Sequence, residues 1–253
     1  MDRLSLRRDP VRLVFSNAPW ASAWYLVGFL FVGSALFAIA STAAIAGAGL
    51  GITLAGFPVL IAAAFTIRWC ANVERARLRT VDERPVTGPY RQPSGGGLLD
   101  NLRTRWTDPA TWRDIAYLIG LWAPLATLGI AVVTIWLVFL AGITTPIWYW
   151  APWQTIHGVR YHGYQLGYFP NGPHGPGGWG LYIDSLPRAL LVAVVCLVAF
   201  LLFTYVVVAT ARAHAFVARS LLNETTDPLK EAKEILGSPG PLSAAEAAGR
   251  YVP

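Results

Sequence analysis

Residues 108–150 read DPATWRDIAYLIGLWAPLATLGIAVVTIWLVFLAGITTPIWYW. A polar Asp108-Pro109 opening leads to Trp112, Arg113 and Asp114. About 30 uncharged residues follow, and the stretch ends on Trp148, Tyr149 and Trp150. At about 1.5 Å per residue, two thirds of that run already covers a hydrocarbon core of about 30 Å. Asp108 is placed to cap the helix, with Pro109 at the first helical position, where a missing N–H costs nothing. Indole and phenol rings at both ends suit a boundary between lipid and water. The stretch predicts a membrane helix at about 114–141, bent at Pro124.

Composition extends this reading to the whole chain. Of 253 residues, 55% are hydrophobic and only 13% are charged, against about 25% charged in soluble domains. The net charge of +6 lies beside apolar runs rather than on one polar domain. That pattern suits topology signals and lipid head groups, and no nucleic-acid partner is expected. The two cysteines, Cys70 and Cys196, fall at different points of separate apolar runs and read as small buried hydrophobes.

Trp20 to Ile67 contains no charged residue, which suffices for two spans joined by a turn near Gly47 to Pro58. The expected spans are about 22–46, 56–72, 114–141 and 189–210. A basic arm covers 1–19, a polar loop 73–113, a second polar region 144–186 and a polar tail 223–253. Within the tail, Asp227-Pro228 can start a short helix to about Leu236. Ser243 with Glu246 makes a capping box for another. Arg and Lys number four in 1–19, nine in 68–113 and five in 212–253, but only Arg160 falls in 144–186. Both termini and the 73–113 loop are therefore expected to be cytoplasmic, and 144–186 extracellular.

The chain also echoes itself. Trp20…Tyr25-Leu26-Val27-Gly28 parallels Trp112…Tyr117-Leu118-Ile119-Gly120, and Gly51-Ile52-Thr53 parallels Gly142-Ile143-Thr144. The fold expected is an all-α membrane protein of four transmembrane helices, 20–222, built as two repeated hairpins in the same orientation.

Several phrases carry a family resemblance: DPATWRDIAYLI, GITTPIWYW, IDSLPRALL, ATARAHAFVARSLL and DERPVTGPYRQP. Over about residues 15–222 the chain resembles the bacterial "putative sensor" membrane domain. That domain precedes the kinase core in sensor histidine kinases and also stands alone. The resemblance implies a four-helix membrane bundle, a sensory role in signal transduction such as a two-component system, and a multi-pass setting in a bacterial plasma membrane. It names no ligand. No phospho-accepting His motif or nucleotide loop follows the last span, so the chain is not expected to be the kinase itself.

Two constellations stand out. The outer region gathers Trp148, Trp150, His157, Tyr161, His162 and Tyr164. These side chains could line a ligand pocket for apolar or cationic molecules, or they form an interfacial aromatic belt on a Gly- and Pro-rich loop. No metal site is expected, because no Cys or Glu accompanies His157 and His162. The second constellation is Glu74 and His214, at matching points after the second and fourth spans. They either meet as a pH-responsive switch pair or lie solvated among head groups.

No charge is expected in the centre of a span, which argues against an ion-coupled transporter. No nucleophile–base pair or nucleotide loop is found, so no enzyme activity and no cofactor are expected. The partners expected are the bilayer, a separate kinase, regulator or transporter subunit, and a second copy of the chain. The leading reading is a non-catalytic sensory or regulatory module. The alternative is a structural or accessory subunit of a larger membrane complex.

Overall fold

A computed structural model describes residues 10–50, 56–81, 90 and 97–223. The arm before Pro10, the turn at 51–55, most of the Pro-rich segment and the tail beyond Asn223 lie outside the described residues. The short tail helices expected from sequence lie there too.

The described chain is mostly helical. Its helices are α1 (Pro10–Val14), α2 (Asn17–Leu50), α3 (Gly56–Leu78), α4 (Leu98–Trp106), α5 (Pro109–Ile115), α6 (Trp122–Ile143), α7 (Thr145–Trp148) and α8 (Leu186–Leu222). Three are long and apolar enough to cross a membrane: α2 with a mean hydropathy of 2.1, α6 with 2.4 and α8 with 3.0. Their outward faces carry Phe31, Ile45, Leu137, Val138, Leu191, Val195 and Leu202, which fits lipid as solvent.

The second expected span, about 56–72, behaves differently. α3 begins at Gly56 as predicted but continues to Leu78, which puts the buried Arg68 near its midpoint. The expectation of a charge-free centre therefore fails for this helix. Its charges are tolerated because each finds a partner inside the protein.

The opening stretch folds largely as read. Asp108 caps α5 by accepting a hydrogen bond from the Ala110 N–H at 3.0 Å, with Pro109 in the first turn. The helix then widens into a π-helical turn at Ala116–Gly120, and α6 starts afresh at Trp122. Pro124 has no N–H for the Gly120 carbonyl, and its ring excludes that group. The break thus falls just before the proline, and the candidate span is Trp122–Ile143 rather than one rod from 114.

The hairpins are defined by their contacts. α2 and α3 run antiparallel: a Cβ on Gly47 would lie 3.2 Å from Ala63 and 3.3 Å from Leu60, while the Arg77 guanidinium reaches the Tyr25 carbonyl at 2.8 Å. α6 and α8 do the same. Phe139 packs on Phe203 at 5.6 Å between ring centroids, and the Trp136 indole N–H donates to Thr204 Oγ1 at 3.0 Å.

The expected repeat in one orientation is not what the structure shows. Trp20 packs on Trp136 with centroids 5.0 Å apart and Phe37 stacks on Trp122 at 4.3 Å, so α2 runs against α6. The hairpins lie head to tail and meet at their charged ends. The physical reason is the charge itself, because the basic and acidic residues closing each hairpin satisfy one another there.

The 144–186 region corrects the all-α expectation. It holds two antiparallel β-hairpins, β1 (Trp153–Ile156) with β2 (Val159–His162), and β3 (Tyr164–Tyr168) with β4 (Trp179–Ile183). His157 and Gly158, at φ 51° and 81°, form the two-residue turn between β1 and β2. Positive φ at both turn positions matches the twist of the flanking strands. Cys70 and Cys196 are both free thiols.

Candidate functional site: a buried belt of arginine–carboxylate pairs

Where the hairpins meet, three arginines of α3 pair with carboxylates out of solvent. Arg68 and Arg75 stand seven residues apart and so share one helix face. Asp108 and Asp114 lie six apart at either end of α5. Arg68 Nη2 donates to Asp108 Oδ2 at 3.0 Å and to Thr111 Oγ1 at 3.0 Å. Arg75 Nη2 donates to Asp114 Oδ1 at 2.9 Å.

Arg75 also bonds within its own helix and ties in two further segments. It donates to Asn72 Oδ1 at 2.8 Å, to the Tyr90 hydroxyl at 2.6 Å and to the Leu222 carbonyl at 2.9 Å. Leu222 is the last residue of α8, and Tyr90 belongs to the segment between α3 and α4. The Tyr90 hydroxyl in turn donates to Asp114 Oδ2 at 2.6 Å. Its ring lies between two cations, 4.3 Å from the Arg68 guanidinium and 5.1 Å from that of Arg75.

Electrostatics follow from this packing. The spanning segment begins at Trp122, so Asp114 lies outside it. Burial pushes the Asp114 carboxyl up to about 6, against the pull of the Arg75 guanidinium and the Tyr90 hydroxyl. Burial, then the adjacent Asp114 carboxylate, raises the Tyr90 hydroxyl above its usual range. Tyr90 therefore stays protonated and serves as a donor.

The third pair brings in the predicted switch residues. Glu74 is fully buried and His214 is 2% exposed, so neither is solvated among head groups. They join one cluster through Arg77 and Tyr25. Arg77 Nε donates to Glu74 Oε2 at 2.9 Å and the Tyr117 hydroxyl donates to Glu74 Oε1 at 2.8 Å. The Arg77 guanidinium covers the Tyr25 ring at 4.1 Å. The Tyr25 hydroxyl then meets His214 Nδ1 at 3.3 Å, and Phe29 packs edge-on to the imidazole at 4.3 Å. His214 Nε2 is buried with no hydrogen-bond partner.

A scan against family models matches one described as "Putative sensor", over residues 25–222. The chain belongs to the Putative sensor family. The matched region contains every residue of the belt and both β-hairpins, and it agrees with the resemblance read from sequence. Searches of curated proteins and of solved structures found no match. For a Putative sensor member the physical content of the site is therefore what its own geometry supplies.

The predicted outer cluster is only partly assembled. Trp148 and Tyr164 meet edge-on at 5.2 Å. Tyr161 sits opposite Gln154 and His162 opposite Trp153 across the β1–β2 ladder, while Trp150 and His157 are exposed. His157 is explained by its turn. Among the described residues no group of three or more His, Cys, Asp or Glu could hold a metal ion.

Sequence reading passed over Arg68, Arg75, Arg77, Asp108, Asp114, Tyr90, Tyr25 and Tyr117 as site residues. One signal was present. Two arginines seven apart and two aspartates six apart flank neighbouring apolar runs, and that spacing suits two ion pairs between facing helices.

Proposed function

We propose that this chain is a non-catalytic sensory module of a bacterial plasma membrane that passes a signal to a separate protein, such as a kinase, a regulator or a transporter subunit. The outer β-hairpins and the apolar helices form the receiving part. The charged belt and the end of α8 face the cytoplasm in this reading, in keeping with the concentration of Arg and Lys there. The belt lies at one end of the α6–α8 hairpin and the β-hairpins lie at the other.

One observation carries the reading. Arg75 simultaneously holds the end of α8, the segment containing Tyr90, and α5 through Asp114. A shift of α8 therefore changes the partners of Arg75 and, through it, of Tyr90. A buried ion pair is weak evidence for stability, and in this reading the belt's role is to specify one arrangement over another. A signal passes only if its source favours one of two such arrangements.

The test is affinity purification from native membranes in mild detergent, with wild type and Tyr90→Phe compared. Removing the hydroxyl breaks the bridge between Arg75 and Asp114 but keeps the ring. The sensor reading expects a signalling protein whose recovery changes in the variant. Recovery of a stoichiometric transporter or other large complex at unchanged yield would support an accessory subunit instead. Absence of any partner would count against both.

A further inference from the structure

α4 docks on α3 and leaves a ledge between them. α4 carries its acid, Asp100, in the first turn and two cations, Arg103 and Arg105, in the last. Positive charge thus gathers at the end where Trp106 docks. The Trp106 indole donates to the Leu60 carbonyl of α3 at 3.1 Å. The Trp112 indole donates to the Trp106 carbonyl at 2.9 Å, which pins the end of α4 against both α3 and α5.

Beside this anchor lies an open cleft of about 440 Å³, lined by Leu60, Leu102, Arg103, Trp106 and Thr107. That volume falls in the range of small-molecule sites. Its floor is apolar and Arg103 stands in its lining. Arg105 stacks over the Phe65 ring at 3.8 Å, and its Nε is buried without a hydrogen-bond partner. An unpaired guanidinium donor out of water is costly unless an acceptor arrives.

The surroundings point to a lipid as that acceptor. Phe65, Trp69 and Trp112 are each more than half exposed, and aromatic rings of this kind settle at the level of head groups. A short amphipathic helix with arginines beside indoles lies in the interface plane, and its affinity depends on the charge of the lipid. We infer that the ledge between α3 and α4 binds an anionic phospholipid, with the phosphate on Arg103, Arg105 adding positive charge at the same helix end, and an acyl chain over Leu60, Leu102 and Trp106.

The test uses the full chain in mild detergent, with thermal unfolding followed during titration of dioleoyl phosphatidylglycerol, dioleoyl phosphatidylcholine or inorganic phosphate. Phosphatidylglycerol is expected to raise the midpoint saturably and phosphatidylcholine to act far more weakly. Each of Arg103→Gln and Arg105→Gln should weaken the apparent affinity by about fivefold. Leu102→Trp fills the cleft while keeping both charges and should also abolish saturation, which covers the case in which an arginine variant does not fold. Arg188→Gln, beside the β-hairpins, should leave the response intact. Equal responses to the two lipids, or an unchanged response in Leu102→Trp, would overturn the inference. So would reproduction of the effect by millimolar inorganic phosphate, which would assign the ledge to a soluble anion.

Discussion

Replacing Arg75 with Met isolates the belt as an energetic unit. The side chain is buried, with only 3% of the residue exposed, and its donors engage Asp114, Asn72, Tyr90 and the Leu222 carbonyl. Methionine fills similar volume but supplies none of these bonds. The Asp114 carboxylate, itself fully buried, keeps only the Tyr90 hydroxyl. Removing one member of a buried pair costs about 3–5 kcal/mol, chiefly because the other charge is left uncompensated. The single variant Arg75→Met should lose about that much. The double variant Arg75→Met with Asp114→Leu removes both charges and should recover most of the loss, so that it costs clearly less than the sum of the two singles. Unfolding in mild detergent, followed by circular dichroism, measures both. Hydrogen exchange adds a local readout, since the last turn of α8 should lose protection near Leu222 in the single variant. A single-variant loss under about 1 kcal/mol would refute the reasoning. So would a double variant that costs the sum of the two singles.

Two further outcomes are expected. A Cβ at Gly142 would lie 2.3 Å from Cys196 Sγ and 3.0 Å from Cys196 Cβ, so Gly142→Ala should push α6 from α8 and cost about 1–3 kcal/mol. Cys196→Ala in the same chain should restore most of the thermal midpoint, and failure of that rescue would place the strain elsewhere. Asp114 supplies a pH dependence. Its folded value of about 6 stands above the unfolded value of about 3.9. The stability contributed by its protonated form is complete below pH 4 and is lost as pH rises through 6. The wild-type midpoint should therefore fall relative to that of Asp114→Asn across this window, and a difference constant from pH 4 to 7 would contradict the assignment.

The helices of this protein were legible because their signal is local. Uncharged runs, the Asp108-Pro109 cap and the aromatic ends place α2, α6 and α8 from composition and spacing alone. The family was legible as well, since phrases such as DPATWRDIAYLI mix polar and aromatic positions that plain apolar helices lack. The β-hairpins were less visible. Their strands are four or five residues long, and one turn is made by His157-Gly158 rather than the commoner Asn-Gly.

What only the tertiary structure decided is which charges meet. By itself, the sequence determined that α3 and the end of α8 carry arginines, and it left them readable as topology signals facing water. Head-to-tail packing of the two hairpins turned Arg68 and Arg75 of α3 inward, onto Asp108 and Asp114, with Tyr90 bonded to the second pair. Helix formation depends on neighbours three or four residues away, whereas an ion pair between Arg75 and Asp114 spans 39 residues. Its partner is set by how the helices are stacked, and no local pattern encodes that.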